Sequence, residues 1–504
     1  MTLEQLRLKH PRLVYKRFYI EQAGGVLTIS HEFLLEPDIV FRPRVTIPYN
    51  GKIDENMLAP YAFNLGMVEA ISYWKAACPK EFVVEAGFLS QDHIRFWYDL
   101  TLHGLGEFFY RNKIDFTKED FFHIVTSELG NESLSRPKLS LEDKAELFPR
   151  EATPTPYTPA SPAGRPHAIP SSGDLILVGG GKDSAMTLGI LKQSDRTLQT
   201  MVLNPTKAAL ENIRVSGLSD PIIVKRTIDS KLLELNAAGY LNGHTPFSAY
   251  LAFLGITVAA LYGNENVIVS NEKSANEGNV MYHGMEVNHQ YSKSFRFETM
   301  FREYVREYLG GMGIPRLPSV ARDNEDIDYF SFLRPLNDLQ IGMMFTTFPE
   351  YFPTFRSCNV GSKTGVWCGS CAKCAFTYLS LSPFISREQL ITIFGGDLFT
   401  RPEILEHIRA TAGLTPVKPF ECVGTRDEAT LAVYLTVEKY FEESREVPEG
   451  LLKIKSDLQL TSADIARLQE AVIENWGDAY NLPPEHLSLL RSAWEQARNL
   501  RGPS

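Results

Sequence analysis

No apolar run in the 504-residue chain is long enough to cross a bilayer. The longest, Ala249 to Tyr262, falls short of the roughly 20 residues a spanning helix needs and reads as a buried helix. The N-terminal stretch MTLEQLRLKHPRLVYKRF is basic but lacks the apolar centre of a secretory signal, so a cytoplasmic location is expected. Positive charge is in deficit, 51 Lys and Arg against 61 Asp and Glu, and the formal net charge of −10 argues against a broad nucleic-acid surface. Six cysteines are too few for a disulfide scaffold in a chain of this length. What is present, 44% hydrophobic and 22% charged residues, describes a globular protein too long for one ordinary core.

Residues 151–173, EATPTPYTPASPAGRPHAIPSSG, carry a proline every few positions and almost no large apolar side chain, which marks a linker. It divides an N-terminal α+β domain, 1–150, from a catalytic domain, 174–420, and a helical region, 421–504. In the first, a hairpin is expected about Gly24-Gly25, and Leu65 to Asn112 is mostly helical in pattern. No catalytic motif is visible there by spacing. After the linker the pattern alternates: strand Asp174–Val178, helix Asp183–Leu191, strand Leu198–Leu203, helix Ala208–Val215, strand Pro221–Ile228, helix Pro246–Tyr262, strand Asn266–Ser270. Such alternation predicts an α/β fold whose parallel sheet binds ligands beyond the carboxyl ends of its strands. Beyond 420 a packing role is expected, with Ala463–Trp476 the clearest amphipathic helix.

The first of these strands runs into three glycines, LILVGGGKDSAMTLGIL at 175–191. A helix that opens there presents unpartnered amides and the positive end of its dipole, a place suited to an anion. Gly179, Gly180 and Gly181 permit close backbone approach, Lys182 adds charge, and Asp183 and Ser184 complete the turn. A tight turn without a ligand is the alternative. A Walker loop fails on Ile176 and Asp183, and a dinucleotide fingerprint fails on Ser184. The remaining pattern, Gly-Gly-x-Asp-Ser, resembles the pyrophosphate loop of ATP pyrophosphatases, with Gly179 in place of the usual leading serine. Asn204 and Ser270, at the ends of two further strands, are expected on the same rim.

SNEKSANEGN at 270–279 contains one weakly apolar residue among ten, and VNHQYSKSFRFE at 287–298 follows it. By composition this is a surface loop; by position, after a strand that ends on the rim, it is a candidate site. Glu272, Asn276, Glu277 and Asn279 are candidates for binding metal or substrate. His289 and Lys293 are candidates for proton transfer at the reacting carbon, or for neutralising phosphate, with histidine preferred for its ordinary pKa near ~6.5. Cys358, Cys368, Cys371 and Cys374 have the spacing of a tetrahedral zinc site closed to water, against the alternative of reduced core thiols. Cys78 and Cys422 stand alone and are expected in the core.

The loop and the four cysteines together resemble deazaguanine nitrile synthases, but the resemblance stops at those two motifs. A wider set of blocks is similar to the ATP-dependent UDP-N-acetylmuramoyl-L-alanyl-L-glutamate epimerases of peptidoglycan synthesis. These are NLGMVEAISYWKAACP (64–79), HGLGEFFYRNKIDF (103–116), GGGKDS (179–184), SNEKSANEGN (270–279), VNHQYSKSF (287–295), RSCN and WCGSCAKC (within 356–374) and KPFECVGT (418–425). The resemblance implies an ATP pyrophosphatase-like core and an isomerase that adenylates the terminal L-glutamate of a UDP-linked muramoyl dipeptide, exchanges its α-proton and hydrolyses the adenylate to AMP. It further implies Mg²⁺ on the triphosphate, with pyrophosphate leaving into 179–184. An adenylate-forming ligase, ending on an amine instead of water, is the competing class.

Overall fold

The computed structural model describes residues 1–126, 173–310, 327–361 and 364–500. The proline-rich linker lies outside the described residues, except for Gly173. Thirteen strands are described: β1 (Arg12–Ala23), β2 (Val26–Leu35), β3 (Ile39–Phe41), β4 (Arg44–Pro48), β5 (Glu81–Val84), β6 (His123–Thr126), β7 (Gly173–Leu177), β8 (Thr197–Leu203), β9 (Ile222–Thr227), β10 (Asn266–Val269), β11 (Val280–Tyr282), β12 (Met285–Val287) and β13 (Asp328–Ser331). All but the small hairpin β11–β12 belong to one mixed sheet of order β13-β10-β7-β8-β9-β4-β2-β1-β5-β6, with β3 beside β2.

Five strands of this sheet, β13-β10-β7-β8-β9, are parallel throughout. Their order reverses at β7: β8 and β9 lie on one side of it, β10 and β13 on the other. The carboxyl ends of β7 and β10 therefore flank the topological switch point, where doubly wound sheets open a crevice for ligands. The remaining strands join through an antiparallel seam, in which Arg44, Val45 and Thr46 of β4 face Thr227, Arg226 and Lys225 of β9.

Alternate residues of the parallel strands enter two different cores, because successive side chains of a strand point to opposite faces. Leu175, Leu177, Met201, Val267 and Tyr329 pack with the aromatic N-terminal half and the helix Phe247–Tyr262. Ile176, Val202, Ile268 and Phe330 pack with the helices that follow residue 330. With both faces covered, the strands read as continuous apolar runs, which is why their limits were legible. The expected hairpin forms about Gly24-Gly25. In the stretch expected to be mostly helical, the helices Glu55–Trp74, Gln91–Gly104 and Gly106–Arg111 are interrupted by β5.

At the amino end of the sheet, opposite the crevice, the C-terminal helix Pro484–Asn499 is anchored by His486. Its Nε2 lies 2.8 Å from Asp174 Oδ2, and Arg196 and Asn266 bond the same carboxylate. The packing role expected of this region is what these contacts provide. The helix expected over Ala463–Trp476 is a helix Ser462–Gln469 with a π-helical turn to Glu474.

Candidate active site

Gly181 caps the helix Lys182–Leu191, which opens directly beyond β7. Gly180 sits at φ +92°, and a Cβ there would approach the amide nitrogen of Ala209 to 2.6 Å; Gly179 faces open space. The turn is fastened from outside. Arg356 N–H donates to Gly180 O at 2.8 Å, and Lys182 N–H donates to Ser357 Oγ at 3.2 Å. Ser184 closes the loop on itself, its hydroxyl accepting from Gly180 N–H and donating to Gly181 O. Lys182 is turned into the protein, with Nζ 2.6 Å from Asp183 Oδ1 and 3.2 Å from Asp338 Oδ1. Burial would lower its pKa, but the two carboxylates outweigh burial and raise it.

The rim residues divide by what their side chains already hold. Asn204 is at the end of β8 with its amide bonded to both backbone groups of Arg226. Ser270 Oγ accepts from Thr187 Oγ1 at 2.8 Å, packing β10 against the loop's helix. In the polar block, Asn276 caps the helix Phe295–Val305 by accepting from Phe295 N–H, and Glu277 is paired with Lys418. Asn279 accepts from His289 N–H and donates to Pro419 O, which holds the segments about 289 and 420 together. Glu272 is different: it is 5% exposed and lies among Asp183, Lys182, Lys293 and Cys422. Burial and the Asp183 charge push its carboxyl up to about 7, against the pull of Lys293. Burial likewise takes Asp338 up to about 8, against the pull of Lys182 and with Asp183 adding to the rise.

Beyond Glu272 the structure brings His289 and Lys293 together with a residue expected in the core. Lys293 Nζ donates to Cys422 Sγ at 3.4 Å, and the His289 ring stands near enough to act on the charge of the same sulfur. The expectation for Cys422 is thus corrected. It is half-buried, unlike the fully buried Cys78, because the turn 418–425 crosses the rim instead of entering the core. Burial would raise its thiol, but Lys293, Lys373 and His289 outweigh burial and hold it well below the usual thiol range. Lys293 is raised in turn, Cys422 and Glu272 outweighing its burial.

His289 Nδ1 lies 2.5 Å from Glu107 Oε2. Burial alone would lower this imidazole; its hydrogen bonds to Cys422 and Glu107 prevail and lift it to about 9. His244 lies beside it with ring centroids 4.4 Å apart and planes tilted by 48°, and burial, with the His289 charge, takes it down to about 3. The cluster thus gathers a thiol and a carboxyl group held down with an amine and an imidazole held up, so that each neighbour favours the charged form of the next. Glu107 comes from HGLGEFFY, in the half where spacing had given no catalytic motif. Glu107, His244 and Asp338 carried no signal as single residues, although Glu107 and Cys422 fall inside two of the blocks that resemble the epimerases.

Among the described residues, two groups bring possible metal donors within 4.8 Å of one another. In the first, Glu107 already bonds His289, a carboxylate orienting an imidazole, and His244 Nδ1 lies 3.6 Å from the same oxygen. In Cys358, Cys368, Cys371 and Cys374 the sulfurs face a common centre, with Cys358 and Cys371 3.9 Å apart and Cys368 and Cys374 3.7 Å apart. Four sulfurs around one zinc at about 2.3 Å would be about 3.8 Å apart, so the cage fits that ion. It lies directly after Arg356 and Ser357, the two residues that fasten the glycine turn.

Family models match most of the chain: the MurL N-terminal domain over residues 5–313 and the MurL C-terminal domain over residues 354–462. Curated relatives named UDP-N-acetyl-alpha-D-muramoyl-L-alanyl-L-glutamate epimerase are similar along most of their length. The protein from Micromonospora sp. is 31% identical over 388 residues, 76% of either chain. That from Salinispora tropica is 30% identical over 442 residues, 87% of this chain and 85% of the relative. That from Xanthomonas oryzae pv. oryzae is 27% identical over 494 residues, 96% of each.

Proposed function

The chain belongs to the MurL family, and from that membership we propose that it epimerises the terminal L-glutamate of UDP-N-acetylmuramoyl-L-alanyl-L-glutamate to D-glutamate at the expense of ATP. The observation that carries the reading is the continuity of one rim. The glycine turn at 179–184, through Asp183 and Lys182, meets Glu272, and Glu272 meets the Lys293–Cys422–His289–Glu107 cluster. A nucleotide-activating end and a proton-transferring end thus share a wall, as the chemistry requires.

ATP, as co-substrate, supplies the activation: adenylation removes the negative charge of the α-carboxylate, which would otherwise oppose formation of a carbanion beside it. The amides after Gly179 and the dipole of the helix Lys182–Leu191 favour the pyrophosphate, as in an ATP pyrophosphatase. Lys182 neutralises the carboxylates beneath it rather than reaching out to phosphate, and Asp183, partly exposed, is placed to meet Mg²⁺ on the triphosphate. His289 and Lys293, both protonated at neutral pH, face the cluster as donors that stabilise negative charge developing on the carbonyl oxygen and supply protons. Glu107 keeps the imidazole charged and oriented. Cys358, Cys368, Cys371 and Cys374 would hold zinc in a structural role, and through Cys358 the cage would steady the Arg356–Ser357 segment that fastens the glycine turn.

Incubation with ATP and UDP-linked L-alanyl-L-glutamate in D₂O tests this directly. The expected products are AMP, pyrophosphate and the unchanged dipeptide connectivity with deuterium at an inverted glutamate α-carbon. An amide or nitrile product, or AMP with no α-deuterium, would overturn the epimerase reading in favour of an adenylate-forming ligase or a simple pyrophosphatase.

A further inference from the structure

We propose that Cys422 is the catalytic residue that accepts the α-proton, working as a thiolate between Lys293 and His289. The inference rests on the epimerase reading and goes beyond it by naming the base. Its ground is geometric: the sulfur lies 3.4 Å from Lys293 Nζ, and the buried Gln290 is held against the residue that follows it, Val423.

The two cations of the cluster are unsuited to the task. His289, lifted to about 9, and Lys293, raised by Cys422 and Glu272 against its burial, carry their protons at neutral pH. Neither can accept another. Glu277 is committed to Lys418. Glu272 is almost fully buried, which leaves little of its carboxylate open to a substrate. Cys422 is a half-buried group whose thiol Lys293, Lys373 and His289 pull down against its burial.

A second observation marks the same place as one that meets a ligand. Gln290 is 3% exposed and donates through Nε2 to the carbonyl of Val423, next to Cys422, while its Oε1 finds no hydrogen-bond partner among the described residues. A buried acceptor without a donor is unfavourable by itself. The amide N–H between the alanyl and glutamyl residues is a donor of the required kind.

In the step proposed, the α-C–H bond breaks and its electron pair moves onto the carbonyl oxygen of the activated carboxyl group. The proton forms an S–H bond on Cys422. Sulfur then yields that proton to solvent, and a solvent proton reaches the opposite face of the carbon. No oxidant or covalent adduct is needed.

The test uses the full chain with ATP and the UDP-linked dipeptide in D₂O, comparing wild type with Cys422→Ser and Cys422→Ala. The variants are expected to melt like wild type and to give a burst of pyrophosphate near one per enzyme, while deuterium wash-in at the α-carbon falls by about 10²–10⁴-fold. As a check independent of the variants, wild type treated with iodoacetamide at pH 6.5 should be alkylated at Cys422, mapped by mass spectrometry. It should lose exchange in proportion, and substrates should protect it. Exchange in Cys422→Ala within a few-fold of wild type, or alkylation of Cys422 without loss of exchange, would overturn the role. So would a substrate-mass adduct on Cys422 after acid quench, since it would assign the thiolate to covalent chemistry. A wild-type enzyme that incorporates no deuterium would instead overturn the epimerase reading itself.

Discussion

Glu107 and His289 share a hydrogen bond of 2.5 Å across 182 positions of sequence, and with Cys422 the bond raises the imidazole against its burial. Glu107→Gln removes one of the two hydrogen bonds that outweigh burial. The His289 pKa should fall from about 9, and the basic limb of the α-proton exchange profile should move to lower pH by about one pH unit. The same pair contributes stability that is complete below the unfolded imidazole value near ~6.5 and is lost as pH rises through about 9. NMR titration of the His289 ring measures the first effect, and thermal melts of wild type and Glu107→Gln at pH 6 and pH 10 measure the second. An unmoved titration would show that Cys422 alone holds the charge.

Two neighbouring glycines should respond differently. Gly180→Ala forces a Cβ onto the Ala209 amide at a positive φ and is expected to destabilise by about 1–3 kcal/mol. Gly179→Val places its side chain in open space, so the melting temperature should hold while AMP formation is lost or the KM for ATP rises at least about tenfold. Normal ATP use by Gly179→Val would remove the pyrophosphate from this turn.

Arg334 is 1% exposed and binds Glu298, the carbonyls of Glu272 and Lys293, and Ser331. Arg334→Met strands a buried carboxylate and should cost about 3–5 kcal/mol in denaturant melts. Adding Glu298→Gln should recover part of that loss. If the double variant is no more stable than the single, the loss stems from the two carbonyls and not from the charge.

Elemental analysis should find about one zinc per chain. Cys374→Ser should release the ion and destabilise by roughly 3–5 kcal/mol. Because the cage follows the residues that grip the glycine turn, AMP formation should fall with zinc content during chelation. A zinc-free preparation of full activity and unchanged melting temperature would contradict both roles.

Asp338, Asp183 and Glu272 crowd one lysine, Lys182. The first and last are held up at about 8 and about 7, so the folded chain keeps protons there that the unfolded chain releases near pH 4. Their protection is present at low pH and is lost as pH rises through those values. Asp338→Asn should therefore stabilise the unliganded protein at pH 8 by about 1 kcal/mol while slowing ATP use. A lower melting temperature for the variant would mean that its attraction to Lys182 outweighs the crowding.

The borders of β7, β8 and β10 were legible because those strands are buried on both faces and are bounded by turn residues. β5 was not, since four residues inside an aromatic, largely helical stretch leave no period to count. The polar block was legible as important but not by role. Asn276, Glu277 and Asn279 stabilise the wall through partners up to 141 positions away, and composition cannot separate them from Glu272. Cys422 is illegible for the same reason: it stands 129 positions from Lys293, and a solitary cysteine is ordinarily a core residue.

The seam between β4 and β9 bears on how substrate gains entry. It joins the two halves by backbone pairing, and beside it Arg226 of β9 grips the buried Glu69 of the helix Glu55–Trp74 with two bonds, 2.7 and 2.9 Å long. A clamshell movement of one half against the other would have to shear these bonds together, with a stranded carboxylate as the result. Among the described residues these bonds tie the halves together at that line, so movement that admits a long nucleotide-linked peptide is expected in the segments above the strand ends instead.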